Sequence, residues 1–324
     1  MSRLLFVRVI VLGGLSILPA DNRCIADEYL LVNGQGTNNV IKFDLGSGAS
    51  SLYAQYHLLD EPRNLAMDSA GNLYSSLNGG GLNVVKLVPN PGSSVLVPTN
   101  FTASIGGDGP GQIQFYNGDL YVAGDESRVI YQYDGATGTE VSTFTSPQSG
   151  NIRAMAINGD SLYDEEIFQD RVHQFDLTQS PPTNSLLFQD TTNLNRASNM
   201  TIGPQGVLVF ANTDDTLIQE YSSAGVFLGT LANVKNFDSS LTSTWDVLYS
   251  PVLQNYFVSA GNEVFRLDVN GTLLQTYQSS LLIRATGLLI VPEPSTLGLA
   301  LVGVLALVLL GRIRRTSGGP CTIR

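Results

Sequence analysis

A short unit recurs along this chain, and its period limits the folds that the sequence can adopt. A turn followed by a pair of apolar or aromatic residues appears six times, at spacings of 42 to 48 residues. The second members of these pairs are Leu30, Tyr74, Tyr121, Tyr163, Val209 and Phe257. Ten to 14 residues later each unit has a stretch of alternating apolar and polar residues, as at 129–134 and 264–268. Units of this length must stack to bury their apolar surface.

Four short strands per unit, with almost no helical periodicity, predict an all-β protein built as a six-bladed β-propeller. The N-terminal part supplies three strands, at 29–32, 40–44 and 52–57, and the C-terminal part supplies a lone strand at 286–291. We expect these four strands to form one blade that closes the ring. A pair of β-sandwiches and a seven-bladed ring are the alternatives, and each needs more strands than the sequence supplies.

The first 26 residues have the pattern of a secretory signal peptide. Arg3 and Arg8 give a positively charged start and precede a short apolar run at 9–18. Cleavage is expected after Ala20 or Ala26. A buried first strand is the alternative, and the charged Arg8 and the glycine pair that follows argue against it.

A second apolar segment lies near the other end, at 297–310, and contains no charged residue. As a helix these residues span about 21 Å, and counting from 291 to 313 brings the length near that of a membrane core. Arg312, Arg314 and Arg315 follow directly and predict a cytoplasmic tail at 316–324 with the preceding body outside. A buried core helix is the alternative, but the segment has no polar face.

Pro292-Glu293-Pro294 stands just before this apolar segment. A Pro-Glu-Pro motif, a short apolar helix and a basic cluster, here at 292–315, resemble the PEP-CTERM sorting signal of Gram-negative bacteria. The resemblance implies recognition and cleavage by an exosortase, in bacteria that make exopolysaccharide. It also implies an inner-membrane anchor before processing and a cell-surface or extracellular location afterwards. The tail beyond Arg315 is longer than that signal usually has.

The body at 27–291 is acidic and contains no cysteine. It has 26 Asp and Glu against ten Lys and Arg, and the whole chain has a pI near 4.5. A basic nucleic-acid-binding protein is therefore excluded, and no nucleic-acid partner is expected. The absence of thiols from the body suits an oxidising exterior.

One unit, at 62–74, resembles the NHL repeat and, more loosely, the gluconolactonase and streptogramin-lyase propellers. Only this unit matches the repeat closely, so the specific part of the resemblance covers about one blade. Trp245-Asp246 is the only Trp-Asp pair and lies on a first strand, which disfavours a WD40 propeller.

Arginines cluster where the first strand of each blade is expected to begin. The loops at one face of a propeller gather around its central channel, so side chains at these positions face a natural binding site. Guanidinium groups there could bind carboxylates or a uronic sugar. Alternatively, each arginine pairs with a nearby Asp or carbonyl and ties adjacent blades together. The four residues are Arg63, Arg153, Arg196 and Arg284.

Asn64, Asn199 and Asp246 fall at nearly equivalent positions on three blades. Resemblance to the gluconolactonase-like propellers implies a central divalent ion at such positions, and oxygen ligands suit Ca²⁺ or Mg²⁺. No Glu at a matching position completes the set. The alternative is that these three side chains cap strand ends.

Other catalytic patterns are weak. His57 and His173 are expected on a late and a middle strand, at the surface or between strands, which disfavours a histidine base and the streptogramin-lyase reaction. There is no Gly-x-Ser-x-Gly motif and no phosphate-binding loop. The acidic stretches at 164–166 and 214–215 are expected to be solvated loops, with weak Ca²⁺ binding as the alternative.

Three functions fit this sequence. The first is an exported, exosortase-sorted surface or matrix protein that binds carbohydrate or protein without catalysis. The second is a metal-dependent lactonase-like hydrolase with a site in the central channel. The third is a purely structural matrix protein.

Overall fold

The computed structural model describes residues 28–57, 60–105, 109–147 and 150–292. The predicted signal peptide at 1–26, the helix at 297–310 and the tail at 316–324 lie outside this part, as do the sorting residues Glu293, Pro294, Arg312, Arg314 and Arg315. Pro292 lies within it, as the last residue of the final strand. In the described ranges, no helix is both long and apolar enough to cross a membrane.

The described part contains 24 strands in six antiparallel sheets of four, as predicted for a six-bladed propeller. Two single turns of 3-10 helix, Pro204–Gly206 and Val234–Asn236, are its only helical segments. Blade 1 consists of β4 (Pro62–Met67), β5 (Leu73–Leu77), β6 (Val84–Val88) and β7 (Val97–Asn100); blade 2 of β8 (Pro110–Tyr116), β9 (Asp119–Gly124), β10 (Val129–Asp134) and β11 (Glu140–Thr145); blade 3 of β12 (Ile152–Asn158), β13 (Ser161–Glu166), β14 (Arg171–Asp176) and β15 (Thr183–Gln189); blade 4 of β16 (Ala197–Ile202), β17 (Leu208–Asn212), β18 (Leu217–Tyr221) and β19 (Phe227–Asn233); blade 5 of β20 (Asp246–Ser250), β21 (Asn255–Ala260), β22 (Glu263–Asp268) and β23 (Leu273–Gln278); and blade 6 of β24 (Ala285–Pro292), β1 (Glu28–Gly34), β2 (Asn39–Asp44) and β3 (Ser50–Gln55).

Strands from both ends of the described chain close the ring in blade 6. β24 pairs antiparallel with β1, so that Glu28 lies opposite Pro292 and Leu30 lies opposite Ile290. The predicted closure is therefore observed. It leaves no open sheet edge between the first and last parts of the chain.

The core lies between neighbouring blades. The recurring residues of the sequence pattern all lie on the second strands and are buried. Tyr74 of blade 1, for example, packs in one cluster with Ile113, Leu120 and Val122 of blade 2. Full burial of such a side chain contributes about 1.5–3 kcal/mol. Each recurring residue thus contributes to a cluster between blades, and Leu30 and Phe257 share the cluster between blades 5 and 6.

The first strands pack against one another around a central channel. We call the end where these inner strands begin the upper face, and the opposite end the lower face. Aspartates at the lower ends of third strands accept hydrogen bonds from the following turn, as Asp44 does from the Ser47 backbone N–H at 2.6 Å. These hydrogen bonds from hydroxyl and N–H groups hold the pKa of Asp44, Asp134, Asp176 and Asp268 below the usual value.

Candidate functional site

The inner strands are irregular near their upper ends, and this irregularity defines the site. The pairing between the first and second strands shifts register at 62–65 in β4, 110–113 in β8, 152–154 in β12 and 197–199 in β16. The pairing of β24 with β1 shifts register between Val32 and Gly34 of β1. Such bulges redirect side chains. Four polar side chains then line the channel at one level, and we call this level the polar ring. Its members are Asn64, Gln112, Asn199 and Asp246, from blades 1, 2, 4 and 5. Blades 3 and 6 have the small residues Ala154 and Gly287 at the corresponding strand positions.

Polar members of the ring link one blade to the next. Asn64 Oδ1 accepts a hydrogen bond from the backbone N–H of Ile113 at 3.2 Å. Asp246 Oδ2 accepts one from the backbone N–H of Leu288 at 2.7 Å. These contacts give both residues a structural role between blades, which differs from the strand-end capping that was the alternative to metal binding.

Gln112 is a ring member that the sequence pattern did not indicate. Its Oε1 accepts a hydrogen bond from the Met155 N–H at 2.7 Å, and its Nε2 donates to the Met200 carbonyl at 2.9 Å. The available signal was its position 48 residues after Asn64, one repeat further on. It was missed because the start of blade 2 reads Pro-Gly-Gln and lacks the Arg-Asn pair of blade 1.

Asn199 differs from its ring neighbours. Its side chain is 95% buried, with 5% exposed, and its Oδ1 has no hydrogen-bond partner. A buried polar oxygen without a partner costs free energy, which a bound donor or cation would recover. The oxygen is itself almost inaccessible to solvent, so a partner for it must be enclosed within the ring beside it.

Asp246 is a buried carboxyl group in the same ring, only 3% exposed. Burial raises its pKa to about 8, although hydrogen bonds from the backbone N–H groups of Leu288 and Val247 act to lower it. Among the described residues no Arg, Lys or His forms an ion pair with it. Near neutral pH it is mostly protonated.

The predicted metal ligands Asn64, Asn199 and Asp246 do line one cavity. Ca²⁺ takes six to eight oxygen ligands, and this set offers one carboxyl group and two amides. Within the described ranges, no group of three or more His, Cys, Asp or Glu is arranged to hold a metal ion. Divalent binding at the ring stays a prediction.

Above the polar ring, two of the predicted arginines converge on one carboxylate. Arg63 Nη1 lies 2.8 Å from Asp125 Oδ2, and Arg153 Nε lies 2.5 Å from Asp125 Oδ1. Asp125 is buried at 2% exposure, whereas the two arginines are 18% and 17% exposed. The ion pairs join blades 1, 2 and 3, as the alternative interpretation of the arginines expected.

The mouth above the ring also contains the single tryptophan of the chain. Arg63, Arg153 and Trp245 line the mouth, and the Arg284 guanidinium carbon lies 4.4 Å from the centre of the Trp245 ring. Burial lowers the pKa of Arg63, and the nearby positive charges of Arg153 and Arg284 lower it further, whereas the carboxylate of Asp125 raises it. Two guanidinium groups thus pair with one buried carboxylate while a third lies nearby, and a bound anion would relieve their mutual repulsion.

Arg196 is not part of this mouth. Its Nη1 lies 3.1 Å from both carboxylate oxygens of Asp214, and its guanidinium carbon lies 5.1 Å from the centre of the Phe168 ring. The structure therefore brings together three of the four predicted arginines.

Below the polar ring the channel widens into a cavity of about 380 Å³ that we call the lower chamber. Asn64, Gln112 and Asn199 border both the upper mouth and this chamber, so the ring separates them. Its lower rim is mostly apolar and takes one residue from each of blades 1 to 5, namely Met67, Phe115, Ile157, Ile202 and Tyr249.

The expectation of a solvated acidic loop at 164–166 is wrong. Asp164, Glu165 and Glu166 end strand β13 and are fully buried between blades. Burial raises the pKa of each, and for Glu165 the nearby Asp170 adds to the effect. Asp214 is exposed, as expected for its loop.

Neither histidine lines the channel. His57 is exposed beyond the end of β3, and His173 is fully buried in β14. The His173 Nδ1 lies 3.0 Å from Ser146 Oγ and 3.3 Å from Asp164 Oδ1. A surface and an inter-strand position were expected, and these are the positions observed.

No protein-family model and no curated protein matches the sequence. Among solved structures, a chain of a nidogen/laminin complex is similar at 13% identity and a TM-score of 0.63, covering 81% of this chain and 98% of that one. A streptogramin B lyase is similar at 16% identity and a TM-score of 0.56, and the match covers 79% of this chain and 89% of that one. A protein of unknown function from Bacteroides caccae is similar at 12% identity and a TM-score of 0.63, and the match covers 82% of this chain and 100% of that one. At these identities the similarity establishes the propeller fold.

Proposed function

We propose that this chain is a non-enzymatic binding protein of the cell surface or matrix, whose upper channel mouth holds the carboxylate of an acidic sugar. The convergence of Arg63 and Arg153 on Asp125 carries the proposal. Guanidinium groups bind carboxylates through paired hydrogen bonds, and these two are fixed in place but still partly accessible.

Trp245 supports a sugar rather than a bare carboxylate. An aromatic ring offers an apolar platform with a polar edge, and it lines the same mouth as Arg63 and Arg153. Arg284 extends the cationic surface across that ring. A uronic acid residue would place its carboxylate on the arginines and its ring near the indole.

The arginines lie mostly on the same face. Six of the seven arginines in the described part lie in upper loops or at upper strand ends. They are Arg63, Arg128, Arg153, Arg171, Arg196 and Arg284. The upper loops also carry many Asp and Glu residues, so the attraction for an anionic ligand is local to the mouth, where Arg63, Arg153 and Arg284 lie near one another.

Calorimetric titration of the purified protein with trigalacturonate and with a neutral galactose trisaccharide tests the proposal. We expect the acidic sugar to bind, and the R63A/R153A double variant to weaken it at least tenfold. R196A/R266A removes as much charge away from the mouth and should bind as the parent does. Equal binding of the two sugars, or no loss in the first variant, would contradict the proposal.

A protein partner and a structural role are decided by the same experiment. The nidogen/laminin complex shows that a chain with this fold occurs bound to another protein. If neither sugar binds, the acidic side chains of a protein become the next ligand to test at the mouth. If nothing binds there, the matrix-filling role remains.

A metal-dependent hydrolase is the second candidate function, and the unpartnered Asn199 Oδ1 favours it. Thermal unfolding in EDTA, followed by addition of Ca²⁺, Mg²⁺ or Mn²⁺, tests it. An ion held only by the native state stabilises by about 2.7 kcal/mol at a hundredfold excess over Kd. An ion-selective rise that N199A abolishes would support this function, and lactones would then be assayed. The lyase reaction is disfavoured because no histidine lines the channel.

Export and sorting are proposed from the sequence at 1–26 and 292–315. The partners are an exosortase, the membrane before processing, and exopolysaccharide or surface proteins afterwards. Mass spectrometry of the mature C-terminus tests cleavage, with Pro292, Glu293 and Pro294 all replaced by Ala. An unchanged C-terminus in this variant would remove the sorting proposal while leaving the binding proposal in place.

A further inference from the structure

An open cleft lies on the upper face beside the mouth, between the loops of blades 2 and 3, and we call it the side cleft. Its walls come from the turn between β9 and β10, from the segment that leads into β12, and from the turn between β13 and β14. None of the residues that line the mouth or the lower chamber lines this cleft. Its principal residues are Ser127, Arg128, Gly150, Asn151, Phe168 and Gln169.

The side cleft and the mouth are built on the same two chain segments. Asp125, the partner of the mouth arginines, lies two residues before Ser127 of the cleft. Asn151 of the cleft lies two residues before Arg153 of the mouth, a distance of about 7 Å in extended chain. The two segments are joined where the Ile152 N–H donates a hydrogen bond to the Ser127 carbonyl oxygen at 2.8 Å. A ligand that leaves the mouth between blades 2 and 3 therefore enters the side cleft.

Phe168 gives the side cleft an aromatic wall. Its side chain is 56% exposed, although the Arg196 guanidinium carbon lies 5.1 Å from the centre of its ring. Arg196 is held in turn by Asp214, so the ring is fixed in place while more than half of it stays accessible. An aromatic ring offers a rigid platform to an apolar surface. A pyranose sugar presents such a surface through its C–H groups and carries its hydroxyl groups at its edge.

The polar residues of the side cleft suit the rest of an acidic sugar. Among the described residues that line it, Arg128 is the only charged one, and no carboxylate in the described ranges forms an ion pair with it. Its guanidinium group is free to hold a carboxylate through paired hydrogen bonds. Asn151 and Gln169 add amides, which donate and accept hydrogen bonds and so suit hydroxyl groups. Phe168 and the amides treat acidic and neutral sugars alike, so Arg128 makes the selection.

We propose that the side cleft is a second subsite for an acidic polysaccharide, and that a chain bound at the mouth continues into it. The inference rests on the proposed function of the mouth and extends it. Arg63, Arg153 and Arg284 accommodate a short chain of three acidic sugars at the mouth. A longer chain leaves the mouth between blades 2 and 3, stacks a sugar on Phe168 and places a carboxylate on Arg128. The ligand is then an extended polymer rather than a single sugar or a chain end.

Titration calorimetry of the purified protein with trigalacturonate and hexagalacturonate tests the proposal. We expect the hexamer to bind at least tenfold more tightly than the trimer, because only the hexamer reaches the side cleft. The fluorescence of Trp245, the single tryptophan of the chain, reports occupation of the mouth and should respond to both sugars. A hexamer that binds no more tightly than the trimer would overturn the proposal.

Variants of the side cleft separate its contribution from that of the mouth. A longer chain also offers more registers to the mouth alone, so the comparison between variants is decisive. F168A should remove most of the gain from length, and R128A should lower hexamer affinity severalfold, with trimer binding unchanged in both. F168Y keeps the ring and should bind the hexamer as the parent does. K235A removes an exposed charge from the upper face of blade 4, outside the cleft, and should leave the binding of both sugars unchanged.

The outcomes distinguish this proposal from the one on which it rests. If trigalacturonate does not bind the parent, the mouth proposal fails and the side cleft fails with it. If the trimer binds and either F168A or R128A leaves hexamer affinity unchanged, only the side cleft is contradicted. An equal loss for both sugars in F168A would also overturn the side cleft, since it would place the effect of Phe168 at the mouth.

Discussion

Gln112 of blade 2 donates a hydrogen bond to the carbonyl oxygen of Met200 in blade 4, at 2.9 Å between Nε2 and oxygen. Blade 3 lies between them, and the corresponding position of its first strand is Ala154, a small residue that packs in the apolar cluster between blades 3 and 4. Because Gln112 also accepts from the Met155 N–H, one amide joins three blades. This contact helps to separate the upper mouth from the lower chamber.

Replacing Gln112 by Ala should destabilise the protein by about 2 kcal/mol, since two buried backbone groups lose their partner. Gln114 is the matched control, because its Oε1 accepts a hydrogen bond from the Ile157 N–H at 2.9 Å and Q114A breaks that contact. We expect Q114A to cost about 1 kcal/mol. Urea unfolding measures both, and equal costs would argue that the bridge to blade 4 contributes nothing.

Gly287 in β24 is required by the close approach of blades 6 and 1. A Cβ atom at this position would lie 2.6 Å from Asn64 Cα and 2.7 Å from the Arg63 carbonyl oxygen. Backbone atoms cannot move aside cheaply, so G287A should cost about 3 kcal/mol. Gly46 is the control: a Cβ there has no atom nearer than 3.6 Å, and G46A should change stability by less than about 0.5 kcal/mol. A tolerated G287A would mean that the ring closes more loosely than described.

Asp125 neutralises Arg63 and Arg153, and its removal should expose their repulsion. We expect D125A to lower the free energy of unfolding by about 3 kcal/mol, because two partly buried guanidinium groups lose their partner. Added sulfate should recover part of this loss by binding between them. D214A breaks the exposed pair with Arg196 and should cost less than about 1 kcal/mol, with no response to sulfate beyond that of the parent. A sulfate response that is equal in both variants would argue against an anion site at the mouth.

Buried carboxyl groups should make the protein less stable as the pH rises. The folded-state pKa of Asp246 is about 8 and its ordinary value is 3.8, so the folded protein binds more protons between these values. Stability from this group is fully present below pH 3.8 and falls as the pH rises towards 8, by about 1.4 kcal/mol per unit. Glu165, whose pKa is raised well above its usual value, acts in the same direction.

Unfolding free energies between pH 4.5 and 8 test this prediction. D246N and E165Q should each flatten the decline, because neither amide titrates. The turn aspartates, such as Asp44 and Asp268, have lowered pKa values and act in the opposite sense, since their stabilisation is lost as the pH falls through the folded pKa. Stability should therefore be highest at mildly acidic pH. An unchanged slope in both amide variants would contradict the assignment.

The blade number and the ring closure were predictable because each blade repeats one buried residue on its second strand. Leu30 and Phe257 mark this position as clearly as Tyr74 does. Asn64, Asn199 and Asp246 could be aligned because the repeat keeps its length. The same spacing placed Arg63 and Arg153 on one face.

Side-chain partners were not predictable in the same way. Asp164 and Glu166 look like a hydrophilic turn in the sequence, yet β13 extends to Glu166 and the neighbouring blade covers both. Asp125 carries no signal in the sequence, since its role depends on two arginines from different blades. Arg196 could not be separated from Arg284, because only the fold shows which one turns towards Asp214. These features depend on contacts between blades that are distant along the chain.

The pairing of Glu28 with Pro292 gives the propeller a mechanical direction. The two ends of the described chain leave side by side at the lower face, whereas Ala285 begins β24 at the upper face. A force applied between the two ends would peel β24 from β1 one hydrogen bond at a time. A force between the C-terminal end and a ligand held at the upper mouth would run along β24 and load its hydrogen bonds together. The same strand pair is therefore weak against separation of its ends and strong against a pull transmitted through the ligand.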